Sequence, residues 1–314
     1  MMKGNRMMFF IFMLGTFTVG MAEYVVTGLL TQIASDMKVS ISSAGLLISV
    51  YAVSVALIGP FMRIFTMNVR AKRLLPILVA IFIGSNVVGM LAPNFQVLLL
   101  SRLLSASMHA PFFGVCMSVA AAVAPRGKQP QAIALVQAGL TIAVMIGVPF
   151  GSFLGGFANW RAVFGVMIGL AIITMLGMLK FVPDVSLSTE SNVKNELKVF
   201  KNPHILIVMS IIVFGYSGVF TTYTFMEPMI HDFAPFKIVG LTICLFMFGL
   251  GGVLGNLITG NVPEPKLTKY LFYTFLLLFL TIVLFVTFVH NAILAIIICF
   301  LFGFGTFGTT PLLN

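Results

Sequence analysis

Charge is what this sequence has least of. Acidic and basic residues make up 8% of its 314 positions, with eight carboxylates and four histidines in all, whereas about a quarter of an ordinary soluble domain is charged. Hydrophobic residues reach 60% and the mean hydropathy is +1.11. So little polar surface cannot keep the chain in water, and lipid must be its solvent. Groups that hold metals or carry out bond chemistry are also scarce. Cys116, Cys244 and Cys299 all stand in apolar runs without ligand spacing and read as small hydrophobes. There is no metal-binding cluster, no glycine-rich phosphate loop and no strand-turn-helix setting for a hydrolase nucleophile. A membrane-embedded enzyme would need His, Asp or Glu gathered near one interface, and the few present are dispersed. No cofactor, metal or enzymatic activity is expected.

What the chain has is a ladder of apolar segments. Crossing about 30 Å of hydrocarbon takes about 20 helical residues, and ten such stretches run over 7–29, 43–62, 74–92, 97–122, 132–156, 162–182, 204–226, 238–259, 270–289 and 292–312. A β-barrel is excluded, because its strands alternate over about ten residues and these runs are continuous at twice that length. Lys3 and Arg6 precede the first run as they would a signal peptide, but the run is long and no small-residue cleavage pattern follows it, so it reads as a retained helix. The expectation is an all-α integral membrane protein with ten transmembrane helices.

The basic residues sort by loop. Lys3, Arg6, Arg63, Arg70, Lys72, Arg73, Arg126, Lys128, Lys180, Lys194, Lys198, Lys201, Lys266 and Lys269 fall on one side, and only Lys38, Arg161 and Lys237 on the other, with Arg102 inside a helix. The positive-inside rule then places the N-terminus in the cytoplasm and, after an even number of crossings, the C-terminus as well. The net charge of +10 is a topology signal. It is not a nucleic-acid footprint, because the basic residues are scattered over five segments with no domain to hold a duplex.

One polar stretch breaks the ladder. Pro183 ends the sixth span and a charge-mixed run follows to Pro203, which divides the chain into a six-helix bundle over 1–182, a cytoplasmic linker over 183–203 and a four-helix segment over 204–314. The two halves weakly repeat. Gly15 to Leu30 matches Gly215 to Ile230 in position, Ala44-Gly45-Leu46 recurs as Val239-Gly240-Leu241, and Gly59-Pro60-Phe61 faces Gly255-Asn256-Leu257. Parallel repeats of six helices are the building plan of one large transporter fold.

Four elements carry a more specific resemblance. The run Gly20 to Leu30 with Gln32-Ile33-Ala34 lies in the first helix, and Ala44-Gly45-Leu46-Leu47 through Tyr51-Ala52 to Gly59-Pro60 in the second. Arg102, His109, Pro111 and Phe112-Phe113-Gly114 lie in the fourth; Gly147-Val148-Pro149-Phe150-Gly151 with Gly155-Gly156 lie in the fifth, with Trp160-Arg161 and Phe164 just beyond. Together they resemble the major facilitator superfamily, in its bacterial arabinose-efflux-like and drug:proton antiporter branch, over the whole chain. The resemblance implies a bacterial cytoplasmic-membrane transporter that rocks two bundles about a central site and draws on the proton gradient. It would export small organic molecules, sugars or drugs, in exchange for protons; only the resemblance favours export over import. Its partners would be a small-molecule substrate, protons and the lipid bilayer. Gly59 and the basic group Arg70, Lys72 and Arg73 match the cytoplasmic gating motif, but Arg63 stands where that motif has an Asp. Family members have twelve helices and this sequence stops after ten, so a non-transporting remnant of such a transporter is the alternative expectation.

The residues have a physical reading of their own. An ionised side chain in hydrocarbon costs about 2.5 to more than 10 kcal/mol, so Glu23 and Arg102, at comparable depth, should face a cavity or a partner. Glu23 is the candidate titratable carboxylate, unless it reaches the outer interface and is solvated there. Arg102 is either its charge partner or a hydrogen-bond anchor for nearby carbonyls. His109, two helical turns beyond Arg102 on the same face, is either a proton relay with an unperturbed pKa near 6.5 or a buried neutral ring. Tyr51, Phe113 and Tyr223, the last opposite Glu23 in the repeat, are candidate cavity residues. Glu227, with Pro228 closing the seventh helix, either faces solvent or the gate, or touches substrate. Gly147, Gly151 and Gly155 form a stripe that lets a second helix approach, and Pro149 invites a bend.

Overall fold

The structure, a computed structural model, describes residues 3–66, 69–185, 202–233 and 238–313. Lys194, Lys198, Lys201, Lys237 and most of the expected linker lie outside the described residues. Every regular element among the described residues is helical: α1 Lys3–Tyr24, a 3₁₀ turn Val25–Gly28, α2 Leu30–Met37, α3 Ile41–Thr66, α4 Ala71–Met90, α5 Phe95–Ser107, α6 His109–Val123, α7 Gln129–Ile142, a π turn Ala143–Gly147, α8 Val148–Phe157 and α9 Trp160–Phe181. Then follow α10 Pro203–Phe233, α11 Ile238–Thr259, a 3₁₀ turn Glu264–Lys266, α12 Leu267–Phe288, α13 Ala292–Gly308 and α14 Thr310–Leu313. Nine helical stretches among the described residues are long and apolar enough to cross a membrane. The remaining expected span, 204–226, lies within α10, one continuous helix of 31 residues. That helix corrects one expectation: it does not close at Pro228 but runs through it to Phe233.

The interruptions fall where the sequence cannot sustain an α-helix. Pro111 has no N–H for the Ser107 carbonyl and its ring would crowd that group, so the fourth span divides at Met108 into α5 and α6. Pro149 has the same relation to Met145, which lies in the π turn between α7 and α8. At the end of α1 the β-branched Val25, Val26 and Thr27 favour leaving the helix, and Thr27 Oγ1 donates to the Tyr24 carbonyl at 2.6 Å.

The chain forms two compact units, Met1–Gly147 with Leu154–Glu190, and Val148–Phe153 with Ser191–Asn314. In the first, α1 packs along α7 and α9, α4 against α9, and α3 against α5 and α6. Lipid offers no hydrophobic drive for helices to associate, so close backbone approach and interhelical hydrogen bonds must hold them. Thr16 Oγ1 donates to the Val136 carbonyl at 2.6 Å. A Cβ on Gly139 would strike Thr16 and the Met13 carbonyl, and one on Gly20 would lie 2.5 Å from Leu140 Cδ1. A Cβ on Gly155 would strike Leu29, and one on Gly147 would lie 3.3 Å from Met21 Cγ. Gly151 and Pro149 are buried.

In the second unit the dominant pairing is α11 on α13. A Cβ on Gly251 would strike the Phe300 carbonyl, on Gly255 the Phe304 carbonyl, and on Gly303 the Phe248 carbonyl. Tyr216 adds a bond from its hydroxyl to the Thr306 carbonyl at 2.9 Å, and Cys299 Sγ lies 3.8 Å from Met226 Sδ.

Candidate functional site

Five side chains from four elements of the first unit converge inside the membrane. Glu23 stands one residue before the end of α1, Tyr51 is midway along α3, Arg102 is in α5, and His109 and Phe113 occupy the first two turns of α6. The break at Met108 matters here, because it ends α5 five residues beyond Arg102 and makes His109 the first residue of a new helix. His109 and Arg102 are therefore not on one continuous helical face, as their spacing suggests, but they still share one cluster.

Arg102 is 1% exposed. Its Nη1 donates to the Ala22 carbonyl at 2.7 Å, and Nη2 lies 3.4 Å from the Glu23 carbonyl. The change from α to 3₁₀ pairing after Tyr24 leaves late α1 carbonyls short of N–H partners, and the guanidinium supplies them. Its flat face covers the Tyr51 ring, with Cζ 4.3 Å from the centroid. Among the described residues Arg102 makes no ion pair with a carboxylate, so the anchoring role is the one the geometry shows. The carboxylate of Glu23 turns instead to His109, with Oε2 3.7 Å from Nε2, an ion-pair distance longer than a hydrogen bond. Its side chain keeps 28% of its exposure. The other ring nitrogen of His109, Nδ1, lies 3.1 Å from the Tyr51 hydroxyl. Phe113 stacks on the imidazole at 4.7 Å and 9°, and the Tyr51 ring meets its edge at 85°.

The cavity and gating candidates divide between this cluster and other places. Tyr51 and Phe113 are buried and hold His109. The described cavity of the first unit is a void of about 10 Å³ lined by Gly15, Thr18, Phe82, Met108, Phe112 and Thr174 among others, and neither Tyr51 nor Phe113 reaches it. In the second unit Tyr223 stacks on Phe248 at 4.5 Å, and Glu227 is buried, at 2% exposed. Gly59 packs α3 on α6, where a Cβ would lie 2.8 Å from that of Ala110. At the start of α4, Lys72 and Arg73 are exposed and Arg70 pairs with Asp184 at 3.0 Å.

A second polar cluster ties Trp160 and Arg161, named above beside the fifth-span motif, to Asp36, which was not singled out from the sequence. At the end of the first unit opposite Arg70, Asp36 of α2 accepts from Trp160 Nε1 at 3.0 Å and from Arg161 Nη1, while Arg161 Nη2 donates to the Ala92 carbonyl at 3.2 Å. Arg161 lies over the Trp160 ring at 4.3 Å. The bond from Arg161, with that from Trp160, holds the Asp36 carboxyl below the usual aspartate range. The available signal for Asp36 was charge scarcity, since it is one of eight carboxylates in the sequence.

The chain belongs to the Major Facilitator Superfamily, whose profile matches residues 12–314, and it is a multi-pass membrane transport protein rather than an enzyme. It is 44% identical over 309 residues to the uncharacterized MFS-type transporter YfhI of Bacillus subtilis (strain 168), covering 98% of this chain and 78% of that one. It is 35% identical to the inner membrane transport protein YdhP of Escherichia coli (strain K12), with coverages of 95% and 77%, and 32% identical to a probable sugar efflux transporter of Helicobacter pylori (strain J99 / ATCC 700824), with coverages of 94% and 76%. Among solved structures it resembles a bacterial homolog of the human lysosomal transporter Spinster, with a TM-score of 0.73 at 15% identity and coverages of 100% and 75%. It also resembles the nucleoside transporter NupG, with a TM-score of 0.73 at 13% identity and coverages of 96% and 80%. At such identities these two likenesses speak for the fold alone.

Proposed function

We propose that this protein is a secondary transporter that exports a small organic molecule, of the sugar or drug class, in exchange for protons. It would lie in a bacterial cytoplasmic membrane with its N-terminus and the Arg70 face in the cytoplasm. The observation that carries this reading is the intramembrane pairing of Glu23 with His109 beside an Arg102 whose charge is tied to the backbone. Arg102 is a fixed cation, whereas Glu23 and His109 can change charge. An ionised carboxylate exposed to hydrocarbon without compensation costs at least about 2.5 kcal/mol. Glu23 is therefore stable when protonated, when paired, or when it accepts from a substrate. A site that alternates among these conditions exchanges one occupant for another, which is the logic of antiport. The close glycine contacts of α1 with α7 and α8 give that unit a stiff frame for alternating access. The named sugar efflux relative supports the export direction and the substrate class, as does the resemblance of the motifs to the antiporter branch.

The experiment is substrate-triggered proton movement in proteoliposomes, followed with a pH-sensitive dye across a panel of sugars and lipophilic cations. A compound that elicits flux in the native protein and at least about tenfold less in Glu23→Gln supports antiport. Transport of a compound with no accompanying proton movement refutes it.

A further inference from the structure

We infer that Tyr51 is a positioning residue, whose hydroxyl holds His109 in the tautomer that carries its proton on Nε2 and so aims that N–H at Glu23. The inference deepens the reading of Glu23 and His109 as the proton-handling pair, and it rests on three contacts. The Tyr51 hydroxyl is 3.1 Å from Nδ1. Arg102 lies over the Tyr51 ring at 4.3 Å, where a cation draws electron density from the phenol and makes its hydroxyl the better donor and the poorer acceptor. A hydroxyl that donates to Nδ1 leaves the proton of a neutral imidazole on Nε2, and Nε2 is the nitrogen facing Glu23 Oε2. In the opposite tautomer a bare nitrogen lone pair would face the carboxylate oxygens. Phe113, stacked within 9° of the imidazole plane at 4.7 Å, hinders the ring from tilting out of this arrangement.

The charged and titratable groups facing His109 are Glu23 of α1, Tyr51 of α3 and Arg102 of α5. Of the other helices packed on α6, α7 carries no ionisable side chain and α4 carries only Lys72 and Arg73, in its first turn. The tautomer of His109 therefore bears on one neighbour, Glu23. Tyr51, acting through His109, thereby decides whether the Glu23 carboxylate faces an N–H or a bare lone pair, which bears on its protonation. When a second proton reaches the ring it sits on Nδ1, and the Tyr51 hydroxyl must then turn from donating to accepting.

The test needs no substrate. In protein labelled with ¹⁵N-histidine, His109 is one of four histidines and its signals are assigned by their loss in His109→Gln. Protonation of Glu23 is followed by the infrared carboxyl band that disappears in Glu23→Gln. The expected result is a neutral His109 protonated on Nε2 in the native protein and a tautomer mixture in Tyr51→Phe, which keeps the ring under Arg102 and removes only the hydroxyl. The Glu23 midpoint should shift in that variant. A native His109 protonated on Nδ1 overturns the inference, as does a Tyr51→Phe protein with unchanged tautomer and midpoint. If the variant does not fold, the native tautomer alone decides. A protein that shows the expected tautomer but moves no protons with any substrate would refute the antiport reading and leave this one standing.

Discussion

The two units pair corresponding spans and put different chemistry at the contact. In the first, the second span (α3) meets the fourth (α5 and α6) through Gly59 on Ala110. In the second, Gly255 brings α11 onto the backbone of α13 at Phe304. The first pairing encloses Arg102, Tyr51 and His109 and breaks one helix to do so. The second is backbone against backbone, and neither α11 nor α13 contains an Asp, Glu, Lys, Arg or His. The pairing of α3 with α5 and α6 carries ionisable chemistry, and the pairing of α11 with α13 is tight and uncharged.

The sharpest way to break the comparison is to add a methyl group to the packed pair. Gly303→Ala places its Cβ on the Phe248 carbonyl and should destabilise the second unit by about 3 kcal/mol or more. Hydrogen exchange should accelerate in α11 and α13 and stay unchanged at Val25–Gly28. Gly218→Ala, where nothing lies within 4 Å of the added atom, serves as the control and should stabilise by about 0.5 kcal/mol.

An intermediate effect should come from Arg102→Met, which leaves the Ala22 carbonyl without its donor. We expect a cost of about 1 to 3 kcal/mol, tempered by removal of a buried charge. Exchange should now rise at Val25–Leu29 and not in α11 or α13. The reverse pattern would mean that Arg102 does not anchor the end of α1.

The smallest effect belongs to Asp36→Asn. The Asp36–Arg161 pair is one-third or more exposed on both sides, so screening should hold the loss below about 1 kcal/mol. Because the Asp36 carboxyl is held below its usual range, its contribution is present above the ordinary aspartate value of about 3.9. It fades as pH falls through the lower folded-state value. The difference in melting temperature between native protein and Asp36→Asn should therefore shrink under acid conditions.

Much of this contrast was legible beforehand, and what was hidden has specific causes. Span positions followed from apolar run length, and Glu23, Arg102 and His109 stood out because charge in hydrocarbon is costly. Tyr51 read as a cavity aromatic, since nothing in its own neighbourhood shows that Arg102, 51 residues later, would cover it. The division at Met108 was encoded in Pro111, whose effect falls four residues upstream. Pro228 shows the limit of the same rule, since α10 accommodates it and continues. Gly251 and Gly303 were inconspicuous in a chain with 29 glycines, and Gly255 stood out only as a match to Gly59, because a close contact depends on both helices and a stripe shows only one.

The account stands on Glu23 as the group that links substrate to proton. In proteoliposomes holding a compound that the native protein moves, substrate exchange without a gradient and uphill transport driven by a pH gradient can be measured on the same vesicles. Glu23→Gln should retain exchange within about threefold and lose gradient-driven accumulation. Accumulation by Glu23→Gln equal to that of the native protein would contradict the account.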